Sequence, residues 1–157
     1  MKEKMEATKV IYERFPIDVK EITLLTLAKY KAYKERVPRS FDGAWWLRTP
    51  AKKPKYAKKP HMCVVDYKAL VDTRPIDESC GVRPAMVFEA DRIAVGDSFE
   101  LFDWGWTVIA DGLAICNQVV YNCAFQGVWN EVDADCYETS RVKWYLDRWL
   151  ADAKSKR

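Results

Sequence analysis

The side chains best suited to grip a ligand fall in a few short stretches. Trp45, Trp46 and Arg48 stand in Ala-Trp-Trp-Leu-Arg-Thr, and Arg83 stands in Gly-Val-Arg-Pro-Ala. A guanidinium can fork onto an anionic group through two parallel hydrogen bonds, and it also stacks on aromatic rings. Arg48 and Arg83 therefore have two readings: grips for an anionic group, or structural braces that stack on a ring or pair with a carboxylate. The densest positive stretch runs from Lys52 to His61, with Lys52, Lys53, Lys55, Lys58 and Lys59 around Tyr56. Lysines so placed can hold phosphates while the ring stacks on a base. The plainer reading is a solubilising loop that also blocks pairing at a sheet edge. Glu131, Asp133, Asp135 and Glu138 form the opposite pole. Side by side they could take a hard cation, imitate a phosphate backbone or meet a basic partner. They lack the glycine and the closing glutamate of a calcium loop, and a solvated loop is the plainer reading.

Catalytic sets are hard to assemble. His61 is the one histidine, and Cys63 follows two residues later. On a strand such residues are parallel neighbours, which does not make them a nucleophile and its base. The five cysteines, Cys63, Cys80, Cys116, Cys123 and Cys136, include no C-x-x-C pair and no zinc-ligand spacing. There is no glycine-rich phosphate loop, no G-x-S-x-G elbow and no H-E-x-x-H. No cofactor or metal is expected, and the reading leans away from an enzyme.

Composition bounds what these residues can belong to. A chain of 157 residues, 49% hydrophobic and 31% charged, is an ordinary globular chain and not a mainly disordered one. It is expected to be one domain over 1–157, with an N-terminal helix or arm over 1–19, a core over 20–150 and a basic tail over 151–157. Seven Trp, eight Tyr and six Phe are an excess that serves either a core or an interface. The formal charge of +3 is too small a surplus to declare a nucleic-acid binder. The charged start has no apolar segment behind it, and no stretch approaches the ~18 apolar residues of a membrane helix. The expectation is a protein with reduced thiols in the cytoplasm of a bacterium or of a phage-infected host, with no membrane partner.

The elements that must position these residues follow from periodicity. Met1, Met5, Thr8, Tyr12 and Phe15 fall at helical spacing and Pro16 stops the pattern. After an apolar run at 22–25, Thr26 caps a predicted helix over 27–36, ending before Pro38. Strands are expected over 44–49, 62–67 and 82–88, with an exposed loop over 51–60 and a turn-like stretch over 72–79. Segments 99–102, 106–110 and 113–116 predict a meander, with Asp111-Gly112 as a hairpin turn. Residues 127–138 read as irregular and acidic. Val142, Tyr145, Leu146, Trp149, Leu150 and Ala153 then draw one apolar stripe along a final helix, with Thr139 or Ser140 as N-cap. Adjacent residues of a strand face opposite sides. One of Trp45 and Trp46 is therefore expected inside, while the other covers a helix or stays available to a partner. The fold class expected is α+β, a mainly antiparallel twisted sheet flanked by two or three helices.

Trp45-Trp46-Leu47-Arg48-Thr49-Pro50 and Gly81-Val82-Arg83-Pro84-Ala85 together resemble the paired W-W-L-R-S-P and G-V-R-P-A-L signatures of a bacterial and phage domain family of unknown function. Weaker blocks extend the resemblance over most of residues 20–150: Ile22–Leu27, Gly96-Asp97, Trp106–Ile109 and Tyr137–Leu146. In the family's commoner order the last three kinds of block precede the Trp-Trp signature, whereas here they follow it, which resembles a circular permutation. The signatures are more distantly similar to the closing strands of C-type-lectin-like and formylglycine-generating-enzyme-like folds. The paired cysteines of the latter have no matching motif here, so that activity does not carry over.

The expectation is a non-enzymatic recognition domain for a macromolecular partner, a protein or a protein–nucleic acid complex, with direct nucleic-acid contact through the lysine loop as one route. A phage or mobile-element inhibitor of a host defence factor, anti-CRISPR-like, is the specific form. A lectin-like ligand-binding module and a small thiol- or metal-dependent enzyme stand as alternatives. The physical premise is that the Trp-Trp-Leu-Arg and Val-Arg-Pro stretches are neighbouring sheet elements beneath the C-terminal helix.

Overall fold

Short apolar segments separated by turns pair into two five-stranded sheets among residues 17–52, 55, 58–126 and 136–155, which the computed structural model describes. The first sheet has the order β1 (Asp18–Thr23), β6 (Ala85–Glu89), β9 (Leu113–Cys116), β8 (Trp104–Ala110) and β7 (Ser98–Leu101), every pair antiparallel. The second runs β10 (Tyr121–Ala124), β5 (Ser79–Val82), β2 (Trp45–Ala51), β3 (His61–Val65) and β4 (Val71–Pro75). Its one parallel contact joins β2 to β5, where Trp45 lies opposite Gly81. Among the described residues two α-helices, α1 (Leu27–Tyr33) and α2 (Arg141–Ser155), complete an α+β architecture. No helix among the described residues is long and apolar enough to cross a membrane. The helix expected over 1–15 lies outside the described residues.

Period-two alternation feeds two cores. Along β2, Trp46 joins one buried cluster while Trp45 and Leu47 join the other. Along β9, Ala114 and Cys116 go to the first and Leu113 and Ile115 to the second. Both strands are covered on both faces, which is why they read as continuous apolar runs. Of the two expectations for the second tryptophan, the one that leaves it available to a partner is corrected: Trp45 is 2% exposed and Trp46 0%, and Trp45 instead covers α1, its ring edge-on to Tyr30. The larger cluster takes Val142 and Leu146 from α2, and the smaller packs Leu25 and Tyr30 from around the start of α1.

Local chemistry sets the ends of these elements. Thr26 caps α1 by accepting from the Lys29 N–H at 3.1 Å, and the Thr49 hydroxyl accepts from the Leu27 N–H at 2.8 Å, tying β2 to the helix start. The helix closes at Tyr33 with a 3-10 turn over Lys34–Arg36, earlier than its apolar pattern predicts. Ser140, not Thr139, caps α2, accepting from the Lys143 N–H at 3.0 Å. Gly112 holds a φ of +71° in the β8–β9 hairpin, and Asp111 does not share the positive φ that a type I′ turn needs at both positions.

Three expectations change. The strand predicted over 82–88 is two strands in different sheets. Pro84 has no N–H to continue a ladder, and the chain crosses from one sheet to the other there. Pro50 does not end β2, because the pairing with β3 shifts register between Trp46 and Pro50 and the strand continues to Ala51. The first half of the turn expected over 72–79 belongs to β4, whose polar sequence suits a sheet edge better than a core, and the turn itself is 76–78.

An aromatic groove between β10 and α2

Trp45, Trp46, Arg48 and Arg83 are engaged within the fold. The Arg83 side chain is 1% exposed. Its Nε donates to the Cys116 carbonyl at 2.7 Å and its Nη2 to the Pro38 carbonyl at 2.6 Å, while the guanidinium lies 5.0 Å from the Trp45 ring centroid. Burial lowers its pKa to about 10. Arg83 thus braces the crossing between the sheets. Arg48 shares the face of Trp46, stacks 4.3 Å from the Tyr137 ring centroid and pairs with Glu138 at 3.0 Å. Its other Nη donates to the Thr23 hydroxyl at 2.9 Å, so one side chain ties β2 to β1 and to the segment before α2. Glu138 is therefore held by Arg48. Trp46 donates from Nε1 to the Cys123 carbonyl at 2.9 Å and meets Phe125 edge-on.

Lys52, Lys55, Lys58 and Lys59 are exposed, and Lys59 is paired with Asp77. His61 opens β3, half-buried, with Nδ1 3.0 Å from the Lys59 carbonyl. Lys53, Tyr56, Glu131, Asp133 and Asp135 lie outside the described residues. Among the described residues no three His, Cys, Asp or Glu side chains converge.

The thiols of Cys63, Cys80, Cys116 and Cys123 are buried and held neutral. Burial raises Cys63 and Cys123, and it pushes Cys80 and Cys116 up to about 11 each from an ordinary value of 9.0. A thiol so shifted is a poor nucleophile near neutral pH. The sign for stability follows. Each thiol ionises more readily in the unfolded chain, so its contribution is whole below pH 9 and is lost as pH rises toward 11. Urea midpoints measured in steps of pH should stay level up to about pH 8 and fall between pH 9 and 11. The loss is on the order of 2 kcal/mol for each of Cys80 and Cys116. A level midpoint through pH 11 would contradict it.

The site that the fold assembles was not among those candidates. Tyr121 and Cys123 of β10 floor a groove of ≈470 Å³, and Arg141, Trp144 and Tyr145 of α2 form its wall. That volume lies within the range of small-ligand sites. Tyr121 stacks on Tyr145, with ring centroids 4.4 Å apart and planes 14° from parallel. Trp144 is 60% exposed and Tyr121 47%. The Arg148 guanidinium lies 4.9 Å from the Trp144 ring centroid, in cation–π range. Gln126 closes one end, its Nε2 donating to the Thr139 carbonyl at 3.1 Å. Arg141 stands exposed at the rim, and no carboxylate among the described residues pairs with it. A signal existed in the sequence: Trp144 falls off the Val142–Leu146–Trp149 stripe, an aromatic ring on the polar face of an amphipathic helix.

No curated protein and no solved structure matches the chain. Residues 12–90, half the chain and a stretch that contains both Trp45–Pro50 and Gly81–Ala85, match a family described as a domain of unknown function, DUF6273, and the chain belongs to that family.

Proposed function

We propose that this chain is a recognition domain that holds a segment of a protein partner in the groove between β10 and α2. The observation that carries the reading is the exposure of Trp144 and Tyr121 beside Arg141 in one concave surface. Trp, Tyr and Arg are the residue types that dominate binding energy where proteins meet, and a ring left half in water gains most when a partner covers it. The chemistry of the partner follows from the same walls: an apolar or aromatic side chain against Trp144 and a carboxylate for Arg141. Asp147 and Glu138 stand near the two arginines on the same or adjoining turns, a mixed field that suits a protein better than a polyanion. The neutral, buried thiols weigh against the thiol-enzyme alternative. In the narrower form of the proposal the chain is a phage or mobile-element inhibitor whose partner is a host defence factor.

The test is capture from bacterial lysate by the immobilised chain, repeated with variants. Trp144→Ala and Arg141→Glu should each weaken retention of one and the same protein by about 30-fold or more. Trp144→Ala should shift folding stability by less than about 0.5 kcal/mol, since its ring is exposed. Lys52→Ala and Lys58→Ala should leave retention unchanged. Retention that survives both groove variants overturns the proposal. So does binding that the lysine variants abolish and that falls steeply with salt, which would mean nucleic acid.

A further inference from the structure

A second surface, separate from the groove, lies along the β4 edge of the second sheet. Among the described residues β4 is bonded only to β3, with Met62 opposite Arg74, Cys63 opposite Thr73 and Val64 opposite Asp72. The Asp66 N–H donates to the Leu70 carbonyl and the Ile76 N–H to the Pro60 carbonyl, so hydrogen-bonded pairs fall at even positions along this hairpin. In an antiparallel ladder the positions between them turn their N–H and C=O groups away from the neighbour. Val71, Thr73 and Pro75 therefore face the open edge. The outward groups of Thr73 are already engaged. Its N–H donates to Asp72 Oδ1 at 2.8 Å and its carbonyl accepts from Arg74 Nη1 at 3.0 Å, while the same Arg74 Nη1 is paired with Asp72 Oδ2. Pro75 has no N–H to offer.

We infer that β4 carries a strand-pairing edge fitted to a second copy of this chain, and that the Asp72–Arg74 pair, clipped over Thr73, keeps the edge shut in the single chain. The fit is in the backbone register, and the charges are complementary in it. Antiparallel pairing about a two-fold axis at Thr73 sets each Thr73 against its counterpart, so the outward N–H and C=O of the two residues bond reciprocally. The same register sets Asp72 of each copy against Arg74 of the other, exchanging each internal ion pair for one between copies. Val71, 40% exposed, then lies against Pro75, and the 59% exposed Leu70 adjoins it. While the clip holds, a docking strand exchanges bonds that exist for bonds of the same kind and gains little. Removing both clip side chains leaves the Thr73 groups to water, and pairing then becomes a net gain. Clips of this sort are one of the ways in which sheet edges avoid association.

Sedimentation equilibrium over a range of concentrations tests it. The wild-type chain should run at the mass of one copy. The double variant Asp72→Ala/Arg74→Ala should rise toward twice that mass as concentration increases. Adding Thr73→Pro to the double variant, which removes the outward N–H, should restore the single mass. Adding Val71→Lys instead, which leaves every backbone group in place, should do the same if the proline disturbs the strand. The inference is overturned if the double variant stays at one mass, or if its dimer survives both blocking changes. A wild-type dimer that Val71→Lys dissolves would also overturn it, because the clip would then not be shutting the edge. The groove variants do not touch this edge, so neither result bears on the proposed partner.

Discussion

Trp46→Ala is expected to lower the unfolding free energy by about 4 kcal/mol. The ring is 0% exposed, sits between the sheets in the larger cluster and packs edge-on against Phe125, with centroids 5.5 Å apart. Truncation removes that apolar contact, leaves a cavity in a close-packed interior and takes a donor from the Cys123 carbonyl. A change of that size is a large part of the 5–15 kcal/mol that holds a domain together. Trp46→Phe keeps most of the packing and removes the donor, so about 1–2 kcal/mol is expected. Guanidinium unfolding followed by circular dichroism measures both, since the indole fluorescence itself changes. A loss under 1 kcal/mol for Trp46→Ala would mean that the ring is not a keystone of the inter-sheet core. The contrast with Trp144→Ala is the informative comparison: same residue type, opposite burial, and opposite division between stability and binding.

Arg83→Met is expected to be the second large effect, about 3 kcal/mol of destabilisation. Methionine fills much of the volume but donates nothing, so the carbonyls of Cys116 and Pro38 lose their donor in a buried place. Arg83→Lys should cost about 2 kcal/mol despite keeping the charge, because an ammonium cannot reach two carbonyls in fixed directions and cannot lie flat on the Trp45 ring. The alternative role weighed for Arg83, a grip on an anion, predicts a different pattern: near-normal stability and lost binding. Urea midpoints of the two variants separate them. Unchanged midpoints for both would argue against the brace.

Several elements were legible in the residues because the code for them is local. The stripe from Val142 to Leu150 needs only a period of 3.6 to declare α2, and the caps' residue types alone point to Thr26 and to either Thr139 or Ser140. The β7–β8–β9 meander shows as apolar segments broken by Asp111-Gly112. β2 and β5 are neighbours, as expected of the Trp-Trp-Leu-Arg and Gly-Val-Arg-Pro stretches, with the Gly81 N–H donating to the Ala44 carbonyl at 2.8 Å. Gly81 leaves space where a Cβ would meet Val119 at 2.7 Å. Arg48 likewise finds both a ring and a carboxylate, in Tyr137 and Glu138.

Other features have no local code. β4 and β10 are short and polar on their open sides, and a strand with few apolar residues reads as a loop until a neighbour is known to pair with it. The break at Arg83-Pro84 depends on which sheet each side joins, a choice made by long-range packing. The groove depends on two segments about twenty residues apart, Tyr121 to Cys123 and Arg141 to Tyr145, being brought to one surface.

The residues by themselves determined the periodic elements, the caps, the α+β class and the charge balance, because each follows from neighbours within a turn or two of the chain. Only the tertiary structure decided that both Trp45 and Trp46 are core, that Arg83 donates to the carbonyls of Cys116 and Pro38, and that Trp144 is the tryptophan left in water among the described residues. Exposure is a property of what covers a side chain, and that cover comes from segments remote in sequence.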